Sequence, residues 1–258
     1  FCLDVSALIR EGENRLFVLV YDDPKDDCPS GKQTFKESSF GCFYSRVTGI
    51  WQSVWLEFVP ECYLTSVRFI PDIRNCCVRV RAESFGSEKF GMQVFYGGRK
   101  VGECAFPLTQ YGEGVCSLSE KHLWEVGKGR LYDVVLTYGK DVVHSYFGLR
   151  ECAFSGEKFL LNGKSVFQRL VLDQGYHPKG LYTVPTEEEM RDEIGMATAL
   201  GFNGARLHQK VFEPQFLYEC DKAGYLVWEE LPSWGVDYTD LSGIGGVLEE
   251  WREIVGRD

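Results

Sequence analysis

The residues of this chain best suited to chemistry gather in its last third. Arg206, His208, Gln209 and Lys210 directly follow or close the β-prone run 203–207 (NGARL). An arginine at a strand end can grip a carboxylate through its planar fork of donors. His208, Gln209 and Lys210 read as a polar loop beside it, and a lone histidine without a ligand partner is a poor metal site. Glu229 and Glu230 close the run 225–230 (YLVWEE) and invite a reading as paired acid and base. Adjacent residues of a strand project to opposite faces, so these two cannot work on one bond. One must face the interior or a ligand and the other the outer layer, with Glu230 expected inward. Asp173 follows the apolar run 166–172 (VFQRLVL), where it either accepts hydrogen bonds from ligand hydroxyls or caps a turn. Trp228 and Trp234 either pack or present a flat apolar face suited to a sugar ring. Arg206, Asp173, His208, Glu230 and Trp234 are the candidate substrate contacts, no residue is assigned a catalytic role, and neither a cofactor nor a metal is expected.

These side chains need a scaffold that brings strand ends together. Run 166–172 predicts a buried strand, and Thr186 with Glu189 three positions on predicts a capped helix start. Met190, Ile194 and Ala197 recur at helical spacing before Gly201 ends the run. Residues 203–207 predict a second strand, Glu213-Pro214 a second helix start closed by Gly224, 225–230 a third strand and 247–255 a third helix. Strand and helix in alternation mean a parallel sheet with crossover helices. A complete eight-fold barrel takes ~250 residues, so this stretch can supply only its opening units.

Upstream the rhythm is different. Residues 14–21 (NRLFVLVY) and 53–59 are strand-like runs in a first segment, 1–60, broken by the polar, proline-bearing stretch 22–32. Trp51 and Trp55 would share one face of such a strand and pack its core. Segment 61–154 repeats the pattern with expected strands at 64–70, 76–82, 91–96 and 131–138, the spacing of a β-sandwich. The 258 residues are 44% hydrophobic and 26% charged, the balance of a folded protein, and their net charge of -10 argues against nucleic acid or an anionic membrane as partner. No apolar run has the length of a membrane span. Ten cysteines without regular spacing or a CxxC pair suit free thiols in a reducing compartment, hence a cytoplasmic location.

Certain strings carry a family likeness. Residues 3–21 (LDVSALIREGENRLFVLVY), 48–57 (TGIWQSVWLE), 159–166 (FLLNGKSV), 199–206 (ALGFNGAR) and 221–228 (DKAGYLVW) stand in an order that resembles glycoside hydrolase family 2. The resemblance extends over essentially the whole chain. It implies the C-terminal part of a jelly-roll sugar-binding domain (1–60), an immunoglobulin-like β-sandwich (61–154) and the first three βα units of a (β/α)8 TIM barrel (155–258). The implied activity is retaining hydrolysis of terminal β-linked sugars, of the β-galactoside or β-glucuronide class, with a homo-oligomer open to the full-length protein. No position here matches the family's acid/base or nucleophile motif, so the fragment is expected to be inactive alone. Arg206 would stabilise the family's nucleophilic carboxylate. Arg169-Leu170-Val171 and Arg206-Leu207-His208-Gln209-Lys210 depart from the usual family strings, with Gln209 where a histidine is customary. A competing expectation is a non-catalytic carbohydrate-binding or structural β-sandwich protein with a vestigial barrel segment.

Overall fold

The computed structural model describes residues 2–23, 28–237, 239 and 244–257. Its largest unit is an antiparallel sheet of five strands: β1 (Tyr63–Asp72), β2 (Cys77–Tyr96), β3 (Arg99–Ser117), β4 (Leu131–Tyr138) and β5 (Asp141–Gly148). Strict two-residue alternation builds it. Val78, Val80 and Ala82 face inward while Arg79, Arg81 and Glu83 face water, and Phe90, Met92 and Val94 repeat the pattern further along β2. Between these halves the register shifts from Glu83 to Ser87, around Gly86 at φ 91, a conformation that a side chain would strain. The first half of β2 therefore pairs with β1 and the second with β4, and β3 follows both. The sheet curls, and its concave side becomes the core, where each fully buried valine or phenylalanine contributes ~1.5–3 kcal/mol. Tyr138, wholly buried, spans the curl by donating to Leu108 O at 3.1 Å and accepting from Glu88 N at 2.9 Å.

A short meander follows, made of β6 (Cys152–Ser155), β7 (Lys158–Leu161) and β8 (Lys164–Ser165). Then come β9 (Leu170–Asp173), α1 (Glu187–Ala199), β10 (Gly204–Leu207), α2 (Pro214–Ala223), β11 (Leu226–Glu229) and α3 (Ile244–Arg257). The three strands are parallel in the order β11-β10-β9, with Arg206 opposite both Leu172 and Trp228. Thr186 caps α1 by accepting from Glu189 N at 3.1 Å. α2 starts at Pro214 and ends on Gly224, whose φ of 70 is left-handed; its carbonyl accepts from Gly127 N at 2.8 Å, so the helix end abuts the antiparallel unit.

Several expectations are corrected. Residues 14–21 and 53–59 are extended but form no ladder among the described residues, and Leu16, Phe17, Leu19 and Phe58 are more than 75% exposed. Composition favours a strand there, but a strand exists only where another chain segment pairs with it. Trp51 and Trp55 accordingly share no core face: Trp55 is exposed, and Trp51 meets Tyr182 edge-on. Runs 76–82 and 91–96 belong to one long strand rather than two, because a bulge bends β2 without ending it. β3 and β5 were not foreseen.

Candidate functional site

One face of the parallel sheet carries Val171, Ala205 and Leu207, which pack with Ile194, Phe212 and Phe216 of the helical layer. On the opposite face Leu172, Arg206 and Trp228 form a row across three strands, all of it exposed at the carboxyl ends. Below that row Leu170 and Leu226 close against Trp124, Leu161 and Phe159, so only the upper end is open.

Three of the five expected contacts meet there. Arg206 donates to Glu230 Oε2 from Nε at 3.0 Å and from Nη2 at 2.9 Å. His208 Nδ1 bonds the other oxygen, Oε1, which also accepts from Gln209 N at 3.0 Å. Burial opposes ionisation of Glu230, but the donors from Arg206, His208 and Gln209 outweigh it and hold the carboxyl below its ordinary range. Glu229 turns the other way and accepts from Phe212 N at 3.2 Å, the opposed orientation that neighbouring strand residues must adopt.

Gln209 is the hinge of this cluster and was missed as such. At φ 59 it points its N–H at Glu230, while its side-chain oxygen accepts from Ser233 N at 2.9 Å and Trp234 N at 3.0 Å. Trp234 thereby sits beside the cluster, but its ring is already engaged: the Lys32 ammonium lies 3.8 Å from its centroid and Phe43 packs at 5.2 Å. Ser30 N and Gly31 N donate to its carbonyl at 2.8 and 3.0 Å. The segment around residues 30–44 therefore straps onto the carboxyl ends of the parallel strands, where Tyr44 stacks on Tyr176 at 4.3 Å.

Asp173 and Lys210 belong elsewhere. Asp173 points to the helical side, and its Oδ1 accepts from Gly175 N at 2.8 Å, the turn-capping role of its two readings. Burial raises its pKa, with the Gly175 N–H pulling the other way. Lys210 was expected in a polar loop and is instead wholly buried. Its ammonium donates to Tyr182 O at 2.7 Å and Gly175 O at 3.0 Å, with the rings of Trp51, Tyr182 and Phe212 at 4.7–5.0 Å. Desolvation lowers its pKa against the pull of Glu213 and Asp173. No group of metal-ligating side chains forms among the described residues. A cavity of about 340 Å³ opens between β9 and α1, lined by Asp173, Gln174, Tyr176 and Glu193 above an apolar floor of Val171, Ile194 and Phe216. Glu193, desolvated and beside Asp173, has its pKa pushed up to about 7.

The β-rich architecture matches that of the glycosidases with which the chain aligns. The chain is a relative of the bacterial β-galactosidases and β-glucuronidases, consistent with a partial chain of a glycoside hydrolase family 2-like family. The β-galactosidase of Thermoanaerobacterium thermosulfurigenes is 25% identical over 261 residues, 95% of this chain and 36% of that protein. The β-glucuronidase of Streptococcus agalactiae is 28% identical over 127 residues, 46% of this chain and 20% of its own length. Among solved structures, a Ruminococcus gnavus β-glucuronidase in complex with D-glucuronic acid superposes with a TM-score of 0.69 at 19% identity, covering 78% of this chain and 35% of that one. Apo Bacteroides uniformis β-glucuronidase 3 gives 0.57 at 27% identity, covering 67% and 23%. No protein-family model matches. The chain spans about a third of the length of the first of these curated relatives.

Proposed function

We propose that this chain is part of a retaining exo-β-glycosidase that hydrolyses terminal β-linked sugars, of the β-galactoside or β-glucuronide class. In this reading 1–60 is the last part of a jelly-roll domain, 61–154 an immunoglobulin-like sandwich and 155–258 the first three units of a (β/α)8 barrel. The observation that carries it is the Arg206–Glu230–His208 cluster, set on the open face and carboxyl ends of parallel strands, the end of a barrel at which active sites are built. Retention requires two carboxyl groups ~5–5.5 Å apart, one to protonate the leaving oxygen and one to attack the anomeric carbon. Glu230 is held ionised by its three donors and so suits neither proton donation nor free attack. Its role is to fix Arg206 and His208 as donors toward the sugar and toward the attacking carboxylate, which a later strand supplies. The likeness to β-galactosidases and β-glucuronidases supports a carbohydrate as partner. A cytoplasmic location is proposed with it, on the strength of the ten free thiols.

The test is hydrolysis of nitrophenyl β-galactoside and β-glucuronide by the chain alone and by the product of the coding sequence extended downstream. Activity is expected only from the extended product. Turnover by the 258 residues alone, or none by an extended product that binds either sugar, overturns the proposal.

A further inference from the structure

Strand β3 doubles back over itself as it tracks the bend of β2, and its two ends nearly touch. A Cβ on Gly102 would lie 2.7 Å from Ser117 O and 3.0 Å from Cys116 Sγ, contacts that only a glycine tolerates. Ser119 fastens the crossing, its N and Oγ both donating to Val101 O at 2.8 and 3.1 Å. Cys104 pairs with Met92 in one half of the curl and Cys116 with Val78 in the other, and both point into the shared core. Cys116 is fully buried, Cys104 is half-buried at the core margin on the same face as Gly102, and the Cys116 thiol donates to Ser117 O at 3.8 Å.

We propose that Cys104 and Cys116 are a disulfide-forming pair, an oxidation site open to low-molecular-weight disulfides such as oxidised glutathione, whose closure staples the two halves of the curled sheet. Gly102, two residues before Cys104, abuts Cys116 Sγ, and Phe106, two residues after it, abuts Gly112 and Gly114, so Cys104 and Cys116 face one another across the same narrow approach and the bond needs a local shift rather than an opening of the sheet. The chemistry assigns the roles. Cys104 is partly reachable from solvent whereas Cys116 is buried, so Cys104 attacks first. Its thiolate displaces one glutathione thiolate from the reagent's S–S bond and leaves a mixed disulfide. Cys116 gives up its proton, attacks the Cys104 sulfur and expels the second glutathione. Two protein thiols are oxidised and one glutathione disulfide is reduced to two thiols. The product closes the stretch 105–115 into a loop and removes conformations from the unfolded chain.

The experiment incubates the chain with oxidised glutathione, alkylates the remaining thiols after denaturation and maps the peptides by mass. The expected result is a 104–116 link lacking two hydrogens, reversed by dithiothreitol, with a raised unfolding temperature. Cys104→Ser and Cys116→Ser each abolish that link, and Cys77→Ser, on the neighbouring strand opposite Ser117, keeps it. Alkylation of both Cys104 and Cys116 after oxidation, a persistent glutathione adduct on Cys104, or a link from either to another cysteine would overturn the proposal. The map of the unaltered chain decides this even where a serine variant fails to fold.

Discussion

Glu230 Oε2 takes both Arg206 Nε and Arg206 Nη2, at 3.0 and 2.9 Å, across the ends of two adjacent parallel strands. Both partners are partly exposed, so water screens the pair, and Glu230→Gln is expected to cost only about 1 kcal/mol in chemical denaturation. The sign with pH is definite. Glu230 has a lowered folded pKa, so its contribution is present above the unfolded value of 4.5 and is lost as pH falls through the folded one. The stability gap between the original chain and the variant should therefore close on acidification below that value. A gap unchanged between pH 6 and about pH 3 would show that the carboxylate charge is irrelevant to the cluster.

Lys210 offers a sharper contrast. Replacing it with methionine keeps much of the packing but strips the donors from Tyr182 O and Gly175 O and leaves Glu213, whose carboxylate is 3.7 Å away, without its cation. A broken buried pair costs about 3–5 kcal/mol, and Lys210→Met should lose an amount in that range. Lys210→Met with Glu213→Gln should recover part of it, since the orphaned charge is gone. Denaturant midpoints of the two variants decide between this and simple loss of packing.

What could be read from the residue string separates by physics. The helices and parallel strands were legible because Thr186, Gly201, Pro214 and Gly224 mark their ends and Met190, Ile194 and Ala197 share a helical face. That Glu229 and Glu230 turn opposite ways was legible, because neighbouring strand residues must; that Glu230 pairs with Arg206 was not, since residue types do not say which side chains meet across two strand ends. Lys210 was not, since a charged residue between His208 and Val211 reads as exposed, and its cage comes from Trp51, Tyr182 and Phe212, two of them remote in the chain. Gln209 was equally hidden. Its left-handed backbone has no mark in residue type, glutamine being a poor choice there. Residues 14–21 failed in the opposite direction, having strand composition without a strand to pair with.

Glu193 makes stability fall with rising pH. Its folded pKa of about 7 stands above the ordinary 4.5 because burial and Asp173 disfavour the charge. A raised carboxyl supports the fold fully below the unfolded value and loses that support as pH rises through the folded one. Glu193→Gln, which cannot ionise, should be more stable than the original chain at pH 8 by roughly 1–2 kcal/mol after allowance for partial exposure, and no more stable at about pH 4. Thermal unfolding at the two pH values measures this. Equal effects at both would mean that the side chain acts through its shape alone.

Asp221 joins the antiparallel unit to the parallel one, and its removal should loosen that junction before either unit unfolds. Its Oδ1 accepts from Arg150 Nη1 at 2.8 Å and its Oδ2 from the Tyr146 hydroxyl at 3.2 Å, while its carbonyl takes Trp124 Nε1 at 2.7 Å. Arg150 and Tyr146 lie in or just after β5, Asp221 in α2, so one side chain ties the antiparallel sheet to the helical layer. Asp221→Ala leaves the Trp124 bond to the main chain but strands a guanidinium and a part-buried hydroxyl, a loss of about 2–3 kcal/mol. Amide exchange should then quicken along α2 and around the Gly127 N–H to Gly224 O contact while the core of β2 and β4 stays protected. Uniform loss of protection across both units would instead make them one cooperative body, with Asp221 a stabiliser of the whole rather than the tie between its parts.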